Sequence, residues 1–205
     1  MDKFSLISEV ATTICRLHNK FSIQFYQSDF LKDYRLKNLK KWDVQQAIKD
    51  QFFMQKLIPK YREDIQCKIS IDLLNFKLDH NNVDIRYRTK LKDTIIIKLL
   101  HYAYKEQKTH GLYVSKCLND IFGVRIVLDG ITSNYDKINV LLENLRKHKM
   151  ISRYYYRNDN GYKAFHCYFQ MNNKVLPWEL QIWDTQDREN NIVSHKQHES
   201  ERKIY

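Results

Sequence analysis

The sequence predicts an α/β (α+β) fold in which a mixed β-sheet is flanked by helices. Helical periodicity dominates residues 1–60, short alternating or apolar runs typical of strands follow, and helical segments separate these runs in an order that does not simply repeat. A chain of 205 residues that is 43% hydrophobic can bury one core. We therefore expect a helical segment, 1–60, packed on the core of one main domain, 61–205, which ends in a helix over 187–205.

The N-terminal segment contains two amphipathic stretches. Apolar residues recur at three- and four-residue steps from Phe4 to Leu17 and, less regularly, from Val44 to Met54. Asp43 stands where it can cap the second helix, and Pro59 is expected to end it. Both stretches predict helices with one buried stripe.

Strand character begins after Pro59. Lys68–Leu73 alternates in part, which favours a strand, and Val83–Arg88 alternates cleanly between an apolar and a charged face. We expect the second of these to be a half-buried strand that leads into a helix beginning at Asp93 or Thr94.

The rest of the chain alternates between apolar strands and amphipathic helices. The run after Gly123 suits a buried strand, and two later strands are joined by a turn at Asn172–Lys174. The predicted elements are the strand Val124–Leu128, the helix Asn134–Lys147, the strands Phe165–Met171 and Val175–Trp183, and the terminal helix.

The chain carries a formal charge of +11. Such an excess of Lys and Arg attracts polyanions, either nucleotide phosphates or a nucleic-acid backbone, although a solvated lysine-rich surface would give the same count. No stretch of the sequence is long and apolar enough to span a bilayer, and the N-terminus does not resemble a signal peptide. We expect a cytoplasmic protein without membrane contact.

Phosphoryl-type transfer needs cations for polyphosphate, acidic oxygens for magnesium and a group that positions the attacking hydroxyl. The candidate cations lie where the strand Val83–Arg88 runs into the next helix, so that side chains from both elements can converge on one anion. A solvated basic strand edge is the alternative interpretation. The candidates for binding a polyphosphate are Arg86, Arg88, Lys90, Thr94 and Lys98.

Two acids are candidates for a magnesium site. Asp120 directly precedes an apolar strand, a position common for metal ligands and also for turn caps. Glu179 shares one face of its strand with Gln181, and a carboxylate inside an apolar strand needs a partner because burying it without one is costly. A magnesium ion would supply that partner.

A third candidate element follows a tight turn at Asn160–Gly161. Tyr162 emerges at the end of this turn close to Lys163 and His166, an arrangement that could stack a base and contact a phosphate. The alternatives are a tyrosine at the rim of a hairpin and a strand histidine bonded to a neighbour.

Together and in order, these segments resemble the synthetase domain of the RelA/SpoT family from Asp84 to Lys196. The cation segment resembles the family's Gly-Arg-x-Lys motif, with Tyr87 in place of the glycine. Asp120–Arg125 resembles Asp-x-x-Gly-x-Arg, Asn160–His166 resembles Asn-Gly-Tyr-x-x-x-His, and Glu179–Ile182 resembles the Glu-Leu/Ile-Gln-Ile strand. The resemblance is to the small, single-domain synthetases, and it implies a nucleotidyltransferase-like fold and an ATP-dependent pyrophosphokinase.

The resemblance also implies a role for each matching residue. Arg88, Lys90 and Lys98 would hold the ATP phosphates, with Arg86 and Thr94 as further candidates beside them and Arg125 near the adenine or the phosphates. Asp120 would be a magnesium ligand, and Glu179 would support magnesium or activate the 3′-hydroxyl. The acceptor would be bound by Asn160, Tyr162, Lys163, His166 and Gln181, with the tyrosine stacking on its base.

Two departures from the family bear on the acceptor. Guanosine-using members usually follow the glutamate strand with Arg-Thr, whereas Trp183-Asp184 stands here. Their Lys-Asp-Tyr and Pro-Lys stretch is replaced by Ser152–Asp159, which is rich in Tyr and Arg and would favour stacking on an unpaired RNA end. In this respect the chain resembles the toxic small alarmone synthetases, some of which pyrophosphorylate the 3′ end of tRNA and are held in check by an antitoxin.

The expected reaction is therefore Mg²⁺-dependent transfer of the β,γ-pyrophosphate of ATP to the 3′ end of tRNA by a translation-inhibiting toxin. A GTP/GDP diphosphokinase that makes (p)ppGpp is the alternative, and a catalytically silent RNA-binding module is a further one. The expected partners are ATP, the tRNA or GDP/GTP acceptor, an antitoxin protein and further copies of the chain in a homo-oligomer. A basic face continuous with the pocket would favour RNA, and its candidate residues are Lys32, Arg35, Lys37, Lys40 and Lys41.

Overall fold

The computed structural model describes residues 2–105 and 112–201, which form a five-stranded β-sheet with seven α-helices around it. The strands are β1 (Asp84–Thr89), β2 (Phe122–Leu128), β3 (Arg153–Asp159), β4 (Tyr162–Phe169) and β5 (Trp178–Asp184). The helices are α1 (Lys3–Tyr26), α2 (Val44–Ala47), α3 (Ile58–Asp79), α4 (Lys92–Lys105), α5 (Val114–Cys117), α6 (Tyr135–Lys147) and α7 (Arg188–Glu201). Residues 202–205, which the sequence analysis assigns to the last helix, lie outside the described residues.

The strands stand in the order β1-β2-β5-β4-β3. β2 and β5 run parallel, and every other neighbouring pair is antiparallel. The predicted mixed sheet flanked by helices is therefore confirmed. This topology brings the end of β1 and the starts of β2 and β5 to the same edge of the sheet, so the residues that follow β1 and precede β2 become neighbours.

The N-terminal helix α1 belongs to the same apolar core as the sheet. It begins at Asp2, whose carboxylate accepts hydrogen bonds from the backbone N–H groups of Phe4 and Ser5. Its buried stripe faces α3, α6 and β4, and Phe21 packs against Trp178 of β5 with 5.7 Å between ring centroids. Together, α1, α3 and α6 cover one face of the sheet.

The expectation that Pro59 ends a helix is wrong. Pro59 lies in the first turn of α3, directly after a π-helical turn at Phe53–Leu57. Proline is tolerated in the first turn of a helix because a backbone N–H at that position has no intrahelical partner to lose. The boundary expected between residues 60 and 61 consequently falls inside α3. The cap expected at Asp43 is confirmed, since its carboxylate accepts a 2.7 Å hydrogen bond from the backbone N–H of Gln45.

The strand character inferred for Lys68–Leu73 is also wrong, because this segment lies in the middle of α3. The buried residues of this segment recur with a period near four, which is typical of one face of a helix. The partial alternation between apolar and polar residues was mistaken for the period of two of a strand. The buried apolar residues of this part of the helix are Ile65, Ile69 and Leu73.

The second face of the sheet is only partly covered by the described residues. α7 packs against β4, where Ile192 contacts a small apolar cluster on this face. The cluster consists of Val127, Tyr162, Ala164 and Trp183. The rest of the face, toward the starts of β2 and β5, carries polar side chains. None of the described helices is both long and apolar enough to cross a membrane.

Candidate active site

The polar part of the second face is organised as two rows of side chains that cross the sheet from β1 to β3. Each row is set by strand register, since residues paired across neighbouring strands point to the same face. The first row is Arg86, Arg125, Gln181, His166 and Tyr155. The second row is Arg88, Gly123, Glu179, Tyr168 and Arg153.

Glu179 lies at the centre of these rows and is only 6% exposed. Its Oε1 accepts hydrogen bonds from His166 Nδ1 and from the hydroxyl of Tyr168, both at 2.8 Å. Its Oε2 accepts from the amide of Gln181, also at 2.8 Å. Burial raises the pKa of the Glu179 carboxyl, but the hydrogen bonds that it accepts, above all from His166 and also from Tyr168, oppose burial, and the pKa lies below its ordinary value. Glu179 is therefore an ionised carboxylate held rigidly by three donors.

His166 is buried beside Glu179, and its two ring nitrogens have different environments. Nδ1 contacts the carboxylate, whereas Nε2 is buried and has no hydrogen-bond partner among the described residues. A neutral imidazole that donates from Nδ1 keeps a lone pair on Nε2. An unpaired buried polar atom is costly, so a bound ligand that brought a donor to Nε2 would relieve that cost.

Asp120 forms a second charged cluster at the edge of the sheet. Because β1 and β2 are antiparallel, the backbone N–H of Lys90 donates to the carbonyl of Ile121 at 2.8 Å. The Lys90 ammonium then reaches one oxygen of Asp120, and Lys98 from α4 reaches the other at 2.9 Å.

The three charges of this cluster shift one another's pKa values. Burial raises the pKa of Asp120, but the charges of Lys98 and Lys90 outweigh it and lower the pKa well below the ordinary value. Burial also lowers the pKa of Lys90 to about 8, against the opposing attraction of Asp120. The cluster carries one more positive than negative charge when both lysines are protonated, which suits it to receive an anion.

Arg125 joins the Glu179 network through Gln181. Its guanidinium donates to the side-chain oxygen of Gln181 at 3.1 Å and lies 3.5 Å from the centre of the Trp183 ring. Burial, followed by the charge of Arg88, lowers the pKa of Arg125 to about 10. Arg125 remains protonated near neutral pH, and stacking on Trp183 fixes the orientation of its planar donor group.

Gly123 leaves a gap in the second row, between Arg88 and Glu179. A Cβ built on Gly123 would find no atom closer than the Glu179 carbonyl oxygen at 4.0 Å. The charge of Arg88 reaches this region, since it lowers the pKa of both Lys90 and Arg125. The gap is thus an open position with cations around it.

Two other expected phosphate ligands lie at the margin of this region. Arg86 on the edge strand β1 is exposed and donates to Asp84 at 2.8 Å, and Asp84 also pairs with Arg188 of α7 at 3.1 Å. Thr94 is half-buried in the first turn of α4.

Tyr162, to which the resemblance gives the role of stacking on the acceptor base, is buried in the structure. Its side chain is 1% exposed, and its hydroxyl accepts a 3.3 Å hydrogen bond from Nε1 of Trp183. The Arg157 guanidinium lies over the Tyr162 ring, 5.0 Å from its centre. The apolar cluster under α7 therefore encloses the tyrosine.

The turn before Tyr162 is formed as expected, but its flanking residues point away from Glu179. Asn160 and Gly161 have φ values of +48° and +78°, as a two-residue hairpin turn with a right-handed twist requires. Asn160 is exposed at the tip of this turn. Strand alternation puts Lys163 on the face opposite to Tyr162 and His166, and its ammonium lies 3.7 Å from Asp187. Asn160 and Lys163 are thus not brought into the central network.

Three residues that were not named individually as site residues lie beside Glu179 and His166: Arg153, Tyr155 and Tyr168. Arg153 and Tyr155 belong to the segment Ser152–Asp159, which the sequence analysis expects to favour stacking on RNA. Tyr168 donates to Glu179, Tyr155 stacks on His166, and the Arg153 guanidinium lies 4.1 Å from the centre of the Tyr168 ring. A sequence signal for Arg153 and Tyr155 does exist. They are two residues apart, and Arg157 follows two residues later, so all three lie on one face if the segment is a strand.

The acidic residues also define where a magnesium ion would fit. No group of three His, Cys, Asp or Glu side chains within the described residues forms a complete metal cage. Magnesium, however, is commonly held by one or two carboxylates together with substrate phosphates. Asp120 and Glu179 supply two ionised carboxylates close enough that the charge of Asp120 acts on the pKa of Glu179. The donor chemistry therefore fits Mg²⁺ bound jointly with a polyphosphate.

The basic segment from Lys32 to Lys41 lies at the same edge of the sheet. The carbonyl of Leu39 accepts a 2.9 Å hydrogen bond from the backbone of Ser115 in α5, three residues before the loop that carries Asp120. The backbone N–H of Leu39 donates to Asn173 in the β4–β5 connection at 2.7 Å. The exposed cations of this segment are Lys32, Arg35, Lys40 and Lys41, and Lys37 is half-buried.

Comparison with known proteins gives one family and a set of solved structures. Residues 87–200 match the region found in RelA / SpoT proteins. The crystal structure of small alarmone synthetase 1 from Bacillus subtilis is 18% identical, with 69% of this chain and 76% of that chain covered and a TM-score of 0.41. For small alarmone synthetase 2 from the same organism the identity is 23%, the coverages are 69% and 87%, and the TM-score is 0.39.

A third similar structure is small alarmone synthetase 1 from Bacillus subtilis bound to AMPCPP. It is 16% identical, with 74% of this chain and 76% of that chain covered and a TM-score of 0.31. No curated protein sequence matches the chain.

Proposed function

The chain belongs to the RelA/SpoT family, and from this membership we propose that it is a pyrophosphokinase whose acceptor is the 3′ end of tRNA. The donor is ATP, and the β,γ-pyrophosphate is transferred to the terminal ribose 3′-hydroxyl. The observation that carries the choice of acceptor is the open edge of the site, where Arg153, Tyr155 and Arg157 lie on one side of β3 next to the Glu179 network.

The donor side of the reaction lies over β1 and β2. Lys90, Lys98 and Arg88 supply positive charge around the gap at Gly123, and Arg125 adds a fixed planar donor group. Charge-assisted hydrogen bonds from such groups stabilise polyphosphate and the charge that develops during its transfer. In the absence of ATP, Asp120 balances one of the two lysine charges and accepts hydrogen bonds from both ammonium groups. A bound polyphosphate would compete with it for these hydrogen bonds.

Asp120 and Glu179 would hold magnesium together with the ATP phosphates. When bound there, the ion supplies charge neutralisation for the phosphate oxygens. All other contributions to the reaction come from the side chains of this chain.

The acceptor side lies over β5, β4 and β3. In the proposed reaction the 3′-oxygen forms a bond to the β-phosphorus, the bond between that phosphorus and the α,β-bridging oxygen breaks, and AMP leaves. The hydroxyl proton passes to the Glu179–His166 pair, whose carboxylate is ionised and whose Nε2 has no partner among the described residues. The hydrogen bonds from Tyr168 and Gln181 keep the carboxylate oriented.

Two features support RNA as the acceptor. The edge strand β3 leaves the acceptor side of the site open, whereas a nucleotide-specific site would be expected to enclose its ligand. The basic segment from Lys32 to Lys41 lies at the same sheet edge as Asp120 and can contact the phosphate backbone of a larger nucleic acid. Modifying tRNA 3′ ends would block aminoacylation, so the protein would act as a toxin that needs an antitoxin protein to restrain it.

The test is incubation of the purified protein with Mg²⁺ and ATP labelled at the γ-phosphate, with tRNA, GDP or GTP in separate tubes. We expect label on tRNA and none on tRNA whose terminal diol has been oxidised by periodate, because oxidation removes the accepting hydroxyl. The Glu179→Gln protein, prepared in parallel, controls for contaminating kinases. Label on GDP or GTP with none on tRNA would overturn the proposed acceptor and identify an alarmone synthetase. Label on none of the three would contradict the activity itself.

A further inference from the structure

We propose that Trp183 is a positioning residue shared by the two substrate sites: the face of its indole ring orients Arg125 on the donor side, and its N–H group orients Tyr162 on the acceptor side. The inference deepens the proposed function and rests on it, since it names a residue that arranges the groups expected to bind the two substrates. Trp183 stands where guanosine-using members of the family usually carry arginine.

Trp183 lies on the face of β5 that carries the site. Alternation along the strand puts it on the same side as Glu179 and Gln181, and strand register places it beside Val127 of β2. The side chain is only 1% exposed. Because solvent hardly reaches it, the orientation of the indole is determined by the side chains around it.

On the donor side, Trp183 supports the guanidinium of Arg125. The guanidinium carbon Cζ lies 3.5 Å from the centre of the indole ring. Nε and Nη2 of the same group both donate to Oε1 of Gln181, at 3.3 and 3.1 Å. A ring face and an amide oxygen together fix the plane of the guanidinium. Without the ring, only the amide would hold Arg125 in the direction in which it is proposed to meet ATP.

On the acceptor side, the indole Nε1–H donates to the Tyr162 hydroxyl at 3.3 Å, and the two rings meet edge to face at 88°. Tyr162 in turn has its ring centre 5.6 Å from that of His166. Burial raises the pKa of the Tyr162 hydroxyl, and the nearby charge of Glu179 adds to the effect. Trp183 therefore holds a tyrosine that lies against the pair proposed to receive the acceptor's proton.

The group that covers the Tyr162 ring is partly exposed to solvent. It is the guanidinium of Arg157, which lies 5.0 Å from the ring centre and whose side chain is 32% exposed. An acceptor base that took the place of this guanidinium would stack on a ring whose tilt is already set by Trp183. The stacking role that the resemblance gives to Tyr162 would then depend on Trp183.

Two substitutions separate the two contacts of Trp183 in steady-state transfer to tRNA. Trp183→Phe keeps an aromatic face for Arg125 and removes the N–H group, so we expect the KM for tRNA to rise about 3- to 10-fold, the effect of one lost hydrogen bond, with little change in the KM for ATP. Trp183→Leu removes the ring face as well, and the KM for ATP should then also rise, about 3- to 30-fold. A phenylalanine variant with the same KM for ATP as the leucine variant would overturn the role of the ring face.

A double-mutant cycle tests the hydrogen bond to Tyr162. Tyr162→Phe removes the same bond from the other partner, so the double variant with Trp183→Phe should have the same KM for tRNA as Tyr162→Phe alone. Single effects that multiply in the double variant would show that Trp183 does not act through the Tyr162 hydroxyl, and would overturn the inference.

Val127→Ala is the matched control for a purely structural effect. Val127 is 8% exposed and belongs to the same apolar cluster as Trp183, with which it is paired in register. Alanine should lower the melting temperature and leave both KM values close to those of the unchanged protein. If Val127→Ala raises both KM values as much as Trp183→Leu does, or if Trp183→Leu raises neither, the positioning role is overturned.

Binding of AMPCPP, measured by calorimetry, gives a readout that does not depend on transfer. We expect weaker binding by Trp183→Leu, and nearly unchanged binding by Trp183→Phe and Val127→Ala. If the unchanged protein binds AMPCPP but labels none of the acceptors, the proposed reaction fails, and this comparison still decides the inference. If it labels GDP or GTP and not tRNA, the acceptor KM values are measured with that nucleotide. Equal affinity for AMPCPP in Trp183→Leu and the unchanged protein would overturn the inference in either case.

Discussion

The Nδ1 atom of His166 lies 2.8 Å from Oε1 of Glu179, and the two side chains come from neighbouring antiparallel strands. Both are almost fully buried, at 5% and 6% exposure. A carboxylate can occupy this position because three donors replace the water it has lost. The pair is therefore expected to act as one unit, in which the carboxylate sets the tautomer of the imidazole.

Glu179→Gln tests that unit. Glutamine keeps the shape of the side chain and removes its charge, so the fold should persist while kcat falls about 100-fold or more. Steady-state kinetics with ATP and the acceptor, together with thermal melting, measure both effects. Glu143→Gln is the matched control, because Glu143 is a half-buried α6 residue that pairs with Arg146 outside the site. Wild-type kcat in Glu179→Gln would remove this residue from the mechanism.

Asp120→Asn should separate binding of the anion from catalysis. The change leaves Lys90 and Lys98 buried without their carboxylate, which we expect to cost roughly 3 kcal/mol of folding free energy. In magnesium-free buffer, AMPCPP should raise the melting temperature more in the variant than in the unchanged protein, since its phosphates replace the lost negative charge. The transfer rate should nevertheless fall about 100-fold.

The control for this variant is Asp72→Asn, which changes an exposed aspartate of α3. Equal stabilisation of the Asp120→Asn and unchanged proteins by AMPCPP would show that the two lysines do not receive the ATP phosphates.

Gly123→Val tests whether the gap between Arg88 and Glu179 receives the donor nucleotide. A Cβ at this position meets no neighbour closer than 4.0 Å, so the fold should tolerate the substitution, and valine also suits a strand. The added methyl groups would stand where the polyphosphate is expected, and we predict a rise in the KM for ATP of about 10-fold or more, corresponding to roughly 1.4 kcal/mol. Gly123→Ala should have a smaller effect in the same direction.

The contrasting glycine is Gly130, which has a φ of +69° and whose Cβ would lie 2.7 Å from the Lys3 ammonium. Gly130→Ala should lower the melting temperature and leave the KM for ATP unchanged. A KM for ATP that is unaffected in Gly123→Val would place the donor elsewhere.

The strands that bear the candidate site could largely be predicted because their alternation is local. β1 alternates between Ile85 and Tyr87 on the core face and the charged residues on the other, and the Asn160–Gly161 turn is encoded by two adjacent residues. β3 was not predicted, because Tyr and Arg at successive positions give no clear separation into apolar and polar faces. Its strand structure depends on pairing with β4.

The details of the site depend on contacts between distant parts of the chain. The burial of Tyr162 follows from the packing of α7 near Ile192, which local pattern cannot show. The ion pairs of Lys90 and Lys98 with Asp120 join residues that sequence analysis had assigned to two different ligands, ATP and magnesium. Strand order, which depends on the whole sheet, brings them together.

Magnesium removal is the final test of the acidic residues. Asp120 and Glu179 provide oxygen ligands but no complete cage within the described residues, so we expect magnesium to bind only together with the polyphosphate. Magnesium alone should leave the melting temperature unchanged, whereas magnesium with AMPCPP should raise it further than AMPCPP by itself. Chelation by EDTA should abolish transfer, and added Mg²⁺ should restore it. Full transfer in EDTA, or tight magnesium binding without nucleotide measured by calorimetry, would contradict a site shared between these carboxylates and ATP.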